Sequence, residues 1–158
     1  MKPATSSAAE TSRKKLTPPS RQQQAVVSIL ISAAYVRRFG ARVFEEHGIT
    51  SQQYNVLRIL RGAGPGGLPT LDIADRMIDQ TPGITRLLDR LEAKKFVRRE
   101  RQAGDRRQVL CYVTKAGLDL LGELDAPLKE KANRALRVLS DAELDELIRL
   151  LNKVRMKA

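Results

Sequence analysis

The residues best placed to do chemistry in this sequence are arginines, and their spacing suits duplex DNA better than a reaction centre. Arg86 and Arg90 stand four residues apart in Thr81-Pro82-Gly83-Ile84-Thr85-Arg86-Leu87-Leu88-Asp89-Arg90-Leu91. Ile84, Leu87, Leu88 and Leu91 recur at i, i+3, i+4 and i+7, so they mark the buried face of a helix. The opposite face carries Pro82, Thr85, Arg86, Asp89, Arg90 and Ala93. A helix that starts small and polar can enter a major groove and bring Arg and Thr to base edges. Downstream, Lys94 to Arg107 holds seven basic and two acidic residues. A turn at Gly104-Asp105-Arg106-Arg107 lies inside that window, and alternating Val109, Cys111 and Val113 follow it. This reads as a helix, a strand, a basic hairpin tip and a returning strand. An arginine-tipped hairpin can reach a minor groove or its phosphates. The layout is a winged helix-turn-helix.

The elements that must hold this unit in place are helical. Ser20 and Gln23 have capping-box spacing and open a helix expected over about Arg21 to Glu46, closed by Gly48. Its apolar surface exceeds what one neighbour needs, which suggests packing against a second subunit. Thr50 and Gln53 form a second capping box, and the helix they open should end before Gly62. Gly62 to Gly67 reads as a flexible connector, with no Lys-Ser or Lys-Thr pair to make it a phosphate cradle. Thr70 is placed to cap a short helix, and Thr81 to cap the arginine helix with Pro82 at its first position. Two short helices joined by a tight turn are the core of a helix-turn-helix. After the hairpin, Thr114 caps a helix that Pro127 must kink or restart, and Ser140 with Glu143 caps the last helix. Apolar surplus on helices at both ends of the chain implies that they pair across a two-fold axis. The fold class is mainly α with a small β-hairpin, flanked by N- and C-terminal dimerisation helices.

Composition narrows the partners. The 158 residues contain 29 Lys plus Arg against 18 Asp plus Glu, a net charge of +11 that favours a polyanion. Residues 1–19 are Ala-, Ser-, Thr-, Lys- and Pro-rich and read as a disordered basic arm. Residues 20–158 form the ordered domain, with a DNA-binding lobe over 49–113 and dimerisation helices over 20–47 and 114–158. One Cys excludes an internal disulfide, and one His with one Cys assembles no ordinary metal site within a chain. No apolar run reaches a membrane span and no signal-peptide core stands at the N-terminus, so a cytoplasmic protein is expected. No nucleophile elbow, catalytic His/Asp/Cys set or nucleotide loop is present, which argues against an enzyme, and no cofactor is implied.

The chain resembles the MarR (multiple antibiotic resistance regulator) family of bacterial transcription factors from about Ser20 onward. The likeness is carried by Ile49-Thr50 with Gln53 and Leu57, by Leu71 to Met77, and by Thr81 to Glu92. Arg98-Arg99, Asp105-Arg106-Arg107 and Thr114 to Gly117 complete it. The resemblance implies an obligate homodimer on palindromic double-stranded operators, commonly a repressor, answering in many members to small aromatic or phenolic effectors or to oxidation. One departure is Lys95, where members commonly have Gly for a left-handed helix end.

The DNA contacts then expected are Thr81, Pro82, Gly83, Thr85, Arg86, Arg90, Arg99, Asp105, Arg106 and Arg107. Arg86 is assigned to a base, bidentate to guanine, and Arg90 to phosphate. Asp89 would repel phosphate and is expected to orient Arg86 or Arg90. Arg106 or Arg107 enters the minor groove, with Asp105 either holding an arginine or forming the turn. An effector would sit near Tyr35, Arg38, Phe39, His47 and Tyr54, each of which core packing or a surface ion pair would also explain. Two alternatives stay open. One is a nucleoid-type binder with little sequence specificity; the other is a redox sensor acting through Cys111, which as a buried thiol would otherwise be a small hydrophobe.

Overall fold

A computed structural model describes residues 18–79, 83–101 and 109–156. The chain divides into two compact units, residues 1–33 and 34–158. The first holds the opening of helix α1 (Arg21–Glu46). The expected capping box is there: the Gln23 amide donates to Ser20 Oγ at 3.2 Å, and the Ser20 amide donates to Gln23 Oε1 at 2.7 Å. Its apolar side chains Val26, Val27, Leu30 and Ile31 are all more than half exposed.

The second unit holds the core and everything that positions the arginines. Helix α2 (Ser51–Ala63) starts at the predicted Thr50–Gln53 box, with both bonds formed. It drives Val56, Leu57 and Leu60 into the centre, where Ile73, Leu88, Leu91, Val97, Leu121 and Leu124 meet them with no more than 2% exposure. The Gly-rich connector is more ordered than expected. Gly64–Gly66 forms a 3-10 turn and Leu68–Pro69 a two-residue strand, β1. Leu68 is buried, so tertiary packing orders a segment too short to show periodicity.

Helix α3 (Thr70–Arg76) follows. Its cap position is Pro69, and no side chain caps it, contrary to the expectation for Thr70. The Thr70 hydroxyl instead lies 3.7 Å from Cys111 Sγ. Helix α4 (Ile84–Ala93) carries Arg86 and Arg90. Strands β2 (Val97–Arg101) and β3 (Val109–Val113) then pair antiparallel, and β3 is central in a sheet ordered β1-β3-β2. Helix α5 (Lys115–Leu136) runs unbroken through Pro127, so the proline neither stops nor restarts it. Helix α6 (Asp141–Arg155) begins at the expected Ser140–Glu143 box and buries none of its own residues.

Two joints fix α4 between its neighbours. At its C-terminus the Phe96 amide donates to Leu91 O at 3.0 Å and the Lys95 amide to Glu92 O at 2.8 Å. This is a Schellman closure, which requires a left-handed residue. Lys95 supplies it at φ +61°, whereas the same closure after α1 uses Gly48 at φ +65°. The Thr114 hydroxyl then ties this turn to α5, donating to Lys95 O at 2.7 Å and accepting from the Gly117 amide at 3.1 Å. The approach needs Gly117, because a Cβ there would lie 2.4 Å from Phe96 O. The Thr-x-x-Gly signature is thus the weld between the arginine helix and the long helix behind it.

Candidate nucleic-acid interface

Helix α4 starts later than its sequence suggests. Its cap residue is Gly83, at φ +112°, and no side chain caps it. That corrects the expected cap at Thr81; Thr81 and Pro82 themselves lie outside the described residues. From Gly83 onward the amphipathic reading is borne out. Leu87, Leu88 and Leu91 are buried, while Gly83, Thr85, Arg86, Asp89 and Arg90 are exposed. Neither Arg86 nor Arg90 makes an ion pair with any described residue, so both guanidiniums are available to a ligand.

Arg99, by contrast, has partners within the protein. Expected among the DNA contacts, it is engaged from β2 by two carboxylates of α4. Its Nε donates to Glu92 Oε2 at 2.8 Å, its Nη2 bonds Asp89 Oδ1 at 2.7 Å, and its own amide donates to Glu92 Oε1 at 3.1 Å. Those bonds hold the guanidinium firmly in its charged form, Glu92 contributing most. The expectation that Asp89 orients Arg86 or Arg90 is corrected in the same way, since its partner is Arg99. The physical reason is placement: β2 returns alongside the C-terminal half of α4 and brings Arg99 to both acids. The consequence is electrostatic. Asp89 would repel phosphate on its own; Arg99, shared with Glu92, offsets part of that charge and draws the carboxylate toward β2, while Arg86 and Arg90 stand as two cations on the exposed face.

The wing is described up to its base. Arg98 sits opposite Tyr112 in the strand register, with its guanidinium carbon 4.0 Å from the ring centroid. It also pairs with Glu100. Arg101 ends β2 and is exposed. Asp105, Arg106 and Arg107 lie outside the described residues. Sequence reasoning missed Lys94, whose ammonium donates to Gly48 O and links the end of α4 to the turn between α1 and α2. Its signal was only a cation at a helix terminus.

A cavity of about 630 Å³ lies beside the turn that leads into α4. It is bordered by Arg37, Phe44, Tyr54, Arg58, Ile78 and Leu128, among others. Tyr54 stacks on Phe44 at 4.9 Å, and burial pushes its phenol pKa up, keeping it a neutral donor. Arg37 Nη2 bonds Asp79 Oδ1 at 3.0 Å, and the Ile78 amide donates to Asn55 Oδ1 at 2.9 Å. Of the expected effector residues, Arg38, Phe39 and Tyr54 border this cavity. Tyr35 borders an adjoining basin that shares Arg38 and Phe39 with this cavity, and His47 borders neither, its Nδ1 lying 2.8 Å from Val43 O at the end of α1.

Cys111 is fully buried, and desolvation pushes its thiol pKa up. A redox sensor needs the opposite, a stabilised and accessible thiolate. Among the described residues no group of three or more His, Cys, Asp and Glu could hold a metal, and no helix is long and apolar enough to cross a membrane.

Known proteins share this arrangement. The MarR family model matches residues 49–109, from the start of α2 to the returning strand. The HTH-type transcriptional regulator YkoM of Bacillus subtilis is 31% identical over 118 residues, 75% of each protein. A MarR transcription factor from Planctomyces limnophilus is 39% identical, with a TM-score of 0.67 over 85% of this chain and 97% of its own. A point mutant of Escherichia coli MarR, crystallised with operator DNA, is 24% identical and shares the fold, with a TM-score of 0.75 over 84% and 94%. With its arginine helix and winged sheet seated on the same scaffold as these regulators, the chain belongs to the MarR family of DNA-binding transcriptional regulators.

Proposed function

We propose that the protein acts as a homodimer on palindromic operators, represses transcription by occupying them, and is released by a small aromatic ligand. What carries the DNA reading is Arg86 and Arg90, which have no ion-pair partner among the described residues, on an exposed face where Asp89 is drawn aside by Arg99. Each α4 enters a major groove, with Thr85 and Arg86 at base edges and Arg90 on phosphate. Thr81, Pro82 and Gly83 complete the leading turn, and Arg106 or Arg107, held by Asp105, reaches the minor groove. Residues 49–113 form the reading lobe; 20–47 and 114–158 form the dimer.

The dimer reading is supported by helices that have too little to pack against. In the 26-residue α1 only Val43 and Phe44 are buried, and α6 has no buried residue. Val26, Leu30 and Ile31 on α1 and Ile148 and Val154 on α6 stand more than half exposed. Helices gain most of their stability by burying an apolar face, so each of these requires a partner. The effector reading rests on the cavity beside Asp79. A ligand acid that takes Arg37 from Asp79 removes one tie between α1 and the segment after α3, and it shifts DNA affinity only as far as it favours the released state.

The test is a footprint on the gene's own upstream DNA, with sedimentation to fix the oligomer and a panel of aromatic acids added. A symmetric footprint, a dimer and displacement by one acid are expected. Equal affinity for random DNA at physiological salt would return the nucleoid-type reading, and a monomer at working concentration would remove the two-site mechanism.

A further inference from the structure

A second concavity, of about 530 Å³, opens beside α1 and α5; it adjoins the effector cavity, sharing Arg38, Phe39 and Lys131 with it, but its own lining is more basic. Helix α1 lends it Tyr35, Arg38, Phe39 and Arg42, and the end of α5 lends Lys131, Arg134 and Arg137. Five of these seven residues are cations and none is a carboxylate. Arg42 pairs with Glu46 at 3.1 Å. Arg38, Lys131, Arg134 and Arg137 make no ion pair with any described residue.

Helix termini account for only part of this. Arg134 and Arg137 stand at the C-terminal end of α5, where cations favour the dipole. Lys131 precedes that turn, and Arg38 and Arg42 lie on α1, whose last turn has no basic residue. Like charges gathered around one concavity repel unless an anion joins them. Two aromatic rings adjoin the charge: Tyr35 and Phe39 meet edge to face at 4.8 Å, and Tyr35 is 46% exposed. Guanidiniums match phosphate oxygens in forked pairs, and an exposed aromatic edge offers a base a surface to lie against. The volume suits a ligand of nucleotide size.

We propose that this basin binds a compact polyphosphate carried on an aromatic base, a nucleoside di- or triphosphate, with Arg38, Lys131, Arg134 and Arg137 on the phosphates and Tyr35 against the base. The site is separate from α4, so it and the DNA reading succeed or fail independently; it lies on the helices proposed to form the dimer, so sedimentation of each variant separates loss of the dimer from loss of anion binding.

Calorimetric titration of the full chain at physiological salt, without divalent metal, tests it with ATP, inorganic triphosphate and adenosine. Both anions should bind and adenosine should not. Arg134→Gln with Arg137→Gln should weaken both anions at least tenfold, and Lys131→Gln alone should weaken them severalfold. Tyr35→Ala should weaken ATP alone, leaving inorganic triphosphate unchanged. Arg86→Ala with Arg90→Ala should leave the binding of ATP and inorganic triphosphate in place. The substituted side chains are exposed or half-exposed, and circular dichroism checks that each variant folds. Four results would overturn the proposal: no anion binding up to millimolar concentration; loss in the Arg86/Arg90 variant instead, which puts the anion on the DNA face; adenosine binding as well as ATP; or an Arg134/Arg137 variant that disturbs the oligomer and leaves anion affinity unchanged.

Discussion

Replacing Arg86 by alanine separates base reading from charge. The side chain is exposed on α4 and has no ion-pair partner among the described residues, so its removal leaves no buried group unsatisfied and the fold should be unaffected. A bidentate arginine–guanine pair contributes about 1–3 kcal/mol of discrimination. A dimer presents two such pairs, so the loss on operator DNA is about 2–6 kcal/mol, or about 30-fold to about 20,000-fold in Kd. On scrambled DNA only the charge is removed, and the change should be far smaller. Arg90→Ala is the control. Removing one phosphate-bound cation from each half-site weakens operator and scrambled DNA alike and lowers the slope of log K against log salt by about 2. Fluorescence anisotropy on both duplexes over a salt series reads all of these quantities. Wild-type affinity and wild-type discrimination in Arg86→Ala would refute the assignment. A uniform loss would exchange the roles of Arg86 and Arg90.

Other expectations concern the joints around α4 and the buried thiol. Lys95→Gly should stabilise the protein by about 0.5–1 kcal/mol, because the left-handed residue costs about 1–2 kcal/mol and the added freedom of the unfolded glycine takes part of that back. Urea denaturation checks it, and a midpoint at or below wild type counts against the strained closure. Gly117→Ala should destabilise by on the order of 1–3 kcal/mol despite alanine's higher helix propensity, since the carbonyl 2.4 Å from the new Cβ belongs to the backbone; a neutral change would mean the α4–α5 joint gives easily. Cys111 should resist a thiol reagent in the native protein and react at once in denaturant. Its raised pKa favours the folded state fully below the ordinary thiol pKa, and that contribution fades as pH rises through the folded value, so stability should fall in alkali. Rapid native-state modification with loss of DNA binding would restore the redox reading.

Local signals gave most of the elements. Ser20, Thr50, Thr114 and Ser140 announced four helices because a cap and its bonds lie within one turn of chain. The period of Ile84, Leu87, Leu88 and Leu91 likewise assigned α4 a buried and an exposed face, and Lys95 stood out as a side chain where the helix end favours glycine. Tertiary structure decided the rest, because the outcome depended on which distant segment arrived alongside. Arg99 looked like one more cation in a basic run, and only the return of β2 along α4 gave it Asp89 and Glu92. Thr70 resembled a cap until β3 brought Cys111 to its hydroxyl, and Leu68–Pro69 became a strand because β3 offered it an edge. Tyr35 and Phe39 are neighbours on one helix, but only the fold set them beside the cations of α5. A hydrogen bond inside one turn is written in adjacent residues; an ion pair or an apolar contact between elements exists only once the chain has folded back on itself.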